Sequence, residues 1–306
     1  MQTPAPVARV KWIVMEPAPG TSPHRSVWTY NPAIAIYWLG ESFADDAAVG
    51  GKVAGLSGLV HEHPVPPGFA VLGASSSSGG FEIEVAAAYR RLGKLTNQPE
   101  PAVAVRSSAA GEDSVGASFA GVHDTFLNVL GIESVVHAVR CCIASASSSR
   151  ARAYRLSRGL ESAPDAVTVL VQQFVVADAS GVAFSADPVT GSLECVIVNS
   201  AFGIGESIVS GTVSPDTYRL RRPGLEFAQR TIADKAVMTV GSKSGVREVA
   251  VPTQLRNAPA LQDEQVRRVA QLAVELEEKT GRPVDIEFAF KDGCLALLQC
   301  RPITTL

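Results

Sequence analysis

The residues with the most chemistry to offer stand at opposite ends of the chain. Arg106 leaves the apolar run Val103-Ala-Val105 and enters Ser107-Ser-Ala-Ala-Gly-Glu-Asp-Ser-Val-Gly-Ala-Ser-Phe-Ala-Gly121, a stretch too lean in bulk to be core. Small residues let backbone N–H groups approach an anion, and a guanidinium adds a planar fork of donors, so the stretch reads as a polyphosphate cradle. A solvated Ser/Gly linker is the competing reading. Against it, the chain returns at once to a patterned apolar segment from His123 to Gly131. Lys52 follows the glycine turn Gly50-Gly51 and precedes apolar positions at helical spacing, which marks a second anion site at a helix start.

The second constellation is Asp285-Ile-Glu287 with Gln299-Cys-Arg301. Two short strand-like runs flank Asp292-Gly293 and read as a hairpin. A three-residue loop of Asp292, Gly293 and Cys294 sets Glu287 opposite Gln299 and Asp285 opposite Arg301, and this register is the one expected. A two-residue loop sets Glu287 opposite Leu298 instead. In the expected register a carboxylate and an amide oxygen offer hard ligands for magnesium, and the arginine beside them can hold a phosphate bridged to the metal. An ordinary hairpin with one wet polar face is the bland alternative.

These groups need elements to carry them. Helical patterns cover residues 49–59, 82–92, 133 to about 160 and 263–280, the last stopped by Gly281 and Pro283. Val167 to Val176 is a β-branched run suited to a central strand, and Gln172 inside it must find a partner. Strand and turn signals then dominate from Ser180 to Gly211, where Gly203 and Gly205 mark a tight turn more often than a nucleotide loop. Residues 1–40 read as an arm of uncertain order, 41–170 as a first lobe with the phosphate loop, and 171–306 as a second lobe with the metal site.

Composition narrows the classes. With 306 residues, 46% hydrophobic and 19% charged, the chain can bury a core shared by about two lobes. A net charge of -3 with no basic block speaks against nucleic acid as a partner. No segment has the length of apolar residues that a membrane span needs, and residues 1–12 lack a signal-peptide pattern, so the expectation is a cytoplasmic protein without membrane attachment. Cys141, Cys142, Cys195, Cys294 and Cys300 lack C-x-x-C spacing and read as buried reduced thiols, while His61 and His63 read as loop residues rather than zinc ligands.

Residues 105–121, 181–191, 202–211 and 285–306 together resemble, in order, the ATP-binding domain shared by phosphoenolpyruvate synthases, pyruvate phosphate dikinases and rifampicin phosphotransferases. The resemblance implies an α/β (α+β) ATP-grasp fold, two lobes enclosing a nucleotide cleft, with ATP and Mg2+ as its ligands. Carried over by position, it implies that Lys52 and Arg106 hold phosphates, Gly121 and Thr125 shape the phosphate loop, and Gln172 sits by the adenine. It further implies that Glu287 and Gln299 hold magnesium and that Arg301 clamps the phosphate during transfer, making Lys52, Arg106 and Arg301 the catalytic cations. The pair before Asp124, often two glutamines in synthase-like members, is Val122-His123 here.

Full-length relatives of that kind pass phosphate through a histidine on a swivelling domain. None of His24, His61, His63, His123 or His137 lies in a motif resembling that carrier. The leading expectation is therefore an ATP-binding catalytic subunit that splits ATP to AMP and phosphate and hands a phosphoryl group to a histidine on a separate protein or domain. The small-molecule substrate is unknown. A stand-alone kinase or ligase acting directly on a small molecule is the alternative, and a non-catalytic nucleotide-binding remnant is a third reading.

Overall fold

The computed structural model describes residues 35–41, 49–74, 81–108, 125–146, 148, 167–243 and 245–303. Two antiparallel sheets organise them. The first has the order β1 (Ala35–Trp38), β2 (Gly68–Ala74), β5 (Val167–Gln173), β3 (Val103–Ser108), β4 (Thr125–Val129). The second runs β13 (Cys294–Pro302), β12 (Val284–Lys291), β6 (Ala179–Phe184), β7 (Cys195–Phe202), β8 (Asp216–Arg221), β9 (Glu226–Thr231).

Alternation along the strands of the first sheet sorts its side chains between two cores. Phe69, Val71, Val103, Val105, Val169 and Val171 pack beneath helices α2 (Phe81–Leu95) and α3 (Ile132–Ala146). The intervening residues Ala70, Leu72 and Leu170 join the other core with Val53 and Leu56 of the short helix α1 (Gly51–Ser57). Arg106 is the register partner of Leu170, so it belongs to the α1 side of the sheet. Small residues make that proximity possible, since a Cβ on Gly55 of α1 would stand 2.6 Å from the Cys300 carbonyl of β13.

In the second sheet Val284, Ile286, Phe288 and Phe290 of β12 share a core with Val266, Val269, Ala270, Ala273 and Leu276 of helix α5 (Asp263–Thr280). The other parity, Asp285 and Glu287, is left on the face away from α5. The expected stop of α5 holds, and its start carries a cap that was not among the sequence signals. Gln262 and Gln265 form a reciprocal capping box, and Gly281 closes the helix in the left-handed conformation at φ 71°.

Behind this face, Asp216 and Lys235 form an ion pair with both side chains fully buried. Lys235 Nζ donates to Asp216 Oδ1 at 2.5 Å and to the Ala233 carbonyl at 2.9 Å. Asp216 also accepts from the backbone N–H groups of Ala233 and Ala260. A hairpin of β10 (Val237–Gly241) and β11 (Val246–Ala250) follows, with Thr239 bridged to Gly203 and Ile204. Asn128 of β4, left-handed at φ 55°, donates from Nδ2 to the carbonyls of Ser242 and Gly245 at the hairpin tip.

Several sequence expectations shift. A four-residue strand, β1, lies inside the span 1–40 read as an arm, because a strand this short carries too little alternation to show. The expected division after residue 170 falls within β5, which continues to Gln173; the second sheet begins at Ala179. The helix expected from Glu133 is observed to Ala146, and its continuation towards residue 160 lies outside the described residues. Gly203, at φ 77°, turns the chain out of β7 towards the short helix α4 (Glu206–Val209), as expected of a turn glycine.

Candidate functional site

The hairpin of β12 and β13 carries the clearest geometry. Glu287 faces Gln299 and Asp285 faces Arg301 across the ladder, the register expected from the sequence, but the turn that produces it is different. Lys291 pairs with Cys294, so the loop is Asp292-Gly293 alone, with both residues at positive φ (50° and 76°), as a type I′ turn requires. A register shift between Glu287 and Phe288 then adds one residue on β13, Leu298, and restores Gln299 to its place opposite Glu287. The expected pairing thus comes from a two-residue turn plus a bulge rather than from a three-residue loop.

The two sheets meet at Arg106. Its Nη1 lies 3.6 Å from Glu287 Oε2, an ion-pair contact longer than a hydrogen bond, with the two side chains 19% and 23% exposed. Arg106 Nε is buried and has no hydrogen-bond partner. Glu287 is the more open member of the carboxylate–amide pair, Gln299 being buried on β13. Arg301 Nε donates to both oxygens of Asp285, at 2.8 and 2.9 Å, which fixes the guanidinium plane beside Gln299. Cys300 between them is sealed off, and burial pushes its thiol up to about 12, with the Asp285 carboxylate adding to the effect.

Thr125 is the register partner of Arg106 on β4, and Gln172 pairs with Ala104 on β5, so all three expected residues share one face of the first sheet. Gln172 is buried and donates from Nε2 to the Pro66 carbonyl at 3.1 Å, so the partner it needs is supplied by backbone. Lys52 opens α1. Its neighbour Gly50 packs so tightly on β3 that a Cβ there would collide with the backbone oxygen and the hydroxyl of Ser108. Gly121, and with it Val122 and His123, lies outside the described residues.

Sequence reasoning overlooked part of this face. Asn199 of β7 pairs with Val182, which pairs with Glu287, so one row of the second sheet runs Gln299, Glu287, Val182, Asn199. Thr217 Oγ1 donates to Asn199 Oδ1 at 2.9 Å and turns its amide nitrogen away from β8. An alternating polar residue in an apolar strand was the available signal.

Other candidates fall away. Among the described residues no group of three or more His, Cys, Asp or Glu could hold a metal. His61 contacts the Gly40 carbonyl on an exposed turn. The cysteines are all free, but only Cys142 and Cys300 are buried, while Cys294 in the hairpin is exposed, a correction to the expectation of five buried thiols. Among the described residues no helix is long and apolar enough to cross a membrane.

Chemically, a carboxylate and an amide oxygen on adjacent strands suit a hard cation that takes its remaining ligands from a substrate. Arginines on either side suit the phosphates of that substrate. Known proteins resemble the chain over most of its length. The model of the pyruvate phosphate dikinase AMP/ATP-binding domain matches residues 74–306. A probable phosphoenolpyruvate synthase of Methanocaldococcus jannaschii is 38% identical over 227 residues, 74% of this chain and 19% of that protein. A rifampicin phosphotransferase of Streptomyces sviceus is 42% identical over 209 residues, 67% of this chain and 24% of that protein. The matched region therefore spans no more than a quarter of either relative. D-alanyl-alanine synthetase A of Vibrio cholerae overlays 85% of this chain and 58% of its own at TM-score 0.39 and 12% identity, a distant likeness.

Proposed function

The chain belongs to the pyruvate phosphate dikinase AMP/ATP-binding domain family, and from that premise we propose that it is the ATP-binding catalytic part of an ATP-dependent phosphotransferase. Its mixed α/β body of two antiparallel sheets agrees with the ATP-grasp fold expected of such a domain. The single observation that carries the reading is the contact between Arg106 and Glu287 across the two sheets, with Arg106 Nε buried and unpartnered. An arginine that is loosely paired and has an unused donor fits an anion better than it fits its present neighbour.

In this reading Arg106 and Lys52 hold phosphate oxygens from the first sheet and α1. Arg301, oriented by Asp285, holds the transferring phosphoryl group from the second. Thr125 borders the phosphate loop with Gly121, and Gln172 lies on the adenine side. Glu287 and Gln299 have the donor chemistry for Mg2+, which supplies neutralisation of phosphate charge when bound. The protein's own contribution is position and charge, since phosphoryl transfer asks for little covalent chemistry from side chains. Asp285 keeps Arg301 from swinging out of the row, and the buried thiol of Cys300 stays protonated and inert beside it.

The finer reading is transfer to a histidine on a separate protein or domain, with AMP and phosphate released. It rests on the similarity to phosphoenolpyruvate synthases and rifampicin phosphotransferases. Nucleotide chromatography after incubation with MgATP and candidate histidine-bearing partners tests it. AMP, phosphate and an acid-labile phosphoprotein are expected, and ADP as the sole nucleotide product overturns it.

A further inference from the structure

Ser108 lies two residues beyond Arg106 on β3, and both face α1: their register partners on β5 are Thr168 and Leu170. Ser108 is 1% exposed, and its hydroxyl has no hydrogen-bond partner. A buried hydroxyl without a partner forfeits its hydration for nothing, so its retention calls for an explanation. Capping of α1 is not the explanation. That helix begins at Gly51 behind the N-cap Gly50, with no side-chain cap hydrogen bond, although Gly50 lies directly against the serine. Nor does packing require the oxygen, because alanine would fill nearly the same space.

Arg106 Nε, two residues back on the same strand, has the same defect: it is buried and without a partner. Residues two apart on a strand are roughly 6.6 Å apart, a span that neighbouring oxygens of a polyphosphate cover. A serine hydroxyl turns about a single bond, so it can reach an anion held by Arg106 without a backbone shift. Two unused donors on one face of one strand, beside a carboxylate suited to magnesium, have one kind of ligand in common.

We propose that the Ser108 hydroxyl is a further polyphosphate ligand of this site, donating to an anionic oxygen of the phosphate group that Arg106 holds. The inference rests on the nucleotide reading given above and adds to it a donor from the strand itself.

The test is titration of the full chain with MgATP and MgADP, paired with thermal unfolding in the absence of nucleotide. Ser108→Ala is expected to weaken nucleotide binding about 10-fold, the effect of one lost hydrogen bond to a charged oxygen, while leaving the nucleotide-free melting temperature unchanged or raised. Ser108→Cys keeps the volume and replaces the hydroxyl by a weak donor, so it should weaken binding similarly if the alanine variant folds poorly. Arg106→Gln is the reference. If it weakens binding and the folded Ser108 variant does not, the role of Ser108 is overturned while the site stands. If neither change alters nucleotide affinity, the nucleotide reading fails and the inference with it. A structural hydroxyl gives the opposite pattern to the one expected: lower stability and unchanged affinity.

Discussion

Two cation–carboxylate pairs in this protein have the same formal charge and opposite physical character. Asp216 and Lys235 are fully buried and fully engaged, the carboxylate taking three donors and the ammonium reaching a backbone carbonyl as well. Arg106 and Glu287 are partly open, 3.6 Å apart, and one guanidinium nitrogen is unused. The first pair is complete without any ligand, and its loss would leave a stranded charge. The second is incomplete, and in the proposed function its members exchange each other for a phosphate and a cation. Incompleteness, rather than the presence of charge, distinguishes the pair assigned to ligand binding.

The largest effect belongs to the complete pair. Lys235→Met strands Asp216 in the core and should destabilise the protein by about 3–5 kcal/mol in urea unfolding. Adding Asp216→Leu should recover a substantial part of that loss. Nucleotide affinity of the protein that remains folded should be unchanged, and a specific loss of affinity would erase the distinction between the pairs. Arg106→Gln should do the reverse, lowering MgATP affinity roughly 10- to 100-fold by titration with little change in unfolding.

The smallest effect sharpens the contrast from a third class of pair, carboxylates held by one cation and a backbone N–H. Asp187 is held below the usual carboxylate range, first by the hydrogen bond from Arg219 and then by the Val189 N–H. Asp178 is lowered likewise by Lys291 and the Asp292 N–H. A folded-state value below the unfolded one, about 3.9, gives stability that is whole above that pH and is lost as pH falls through the folded value. The melting temperature should therefore stay level from pH 7 to about 5 and decline below about 4, and Asp187→Asn should shallow that decline.

Legibility in the sequence followed the range of the interactions. Helix α5 and its stop at Gly281 were readable because caps and periodicity are local. The pairing of Glu287 with Gln299 was readable too, yet its cause was not. Asp292-Gly293 announces the turn, whereas the bulge at Leu298 depends on how β13 meets β12 across the sheet. The buried pair joins residues nineteen positions apart and is settled only by packing against the segment that carries Ala260. The unpartnered state of Arg106 Nε and Ser108 was likewise invisible, because satisfaction of a donor is a property of the assembled neighbourhood. Strand β1 escaped notice because four residues on a sheet edge carry too short a pattern.

In the proposed site Glu287 and Gln299 hold the cation of a nucleotide bound between the two sheets. The most direct measurement is ATP affinity with and without Mg2+, compared between the native chain and Glu287→Ala. The native chain should bind ATP more tightly when Mg2+ is present. In the variant that increment should vanish while weak binding through Arg106 and Lys52 survives. An undiminished Mg2+ increment in Glu287→Ala would contradict the assignment.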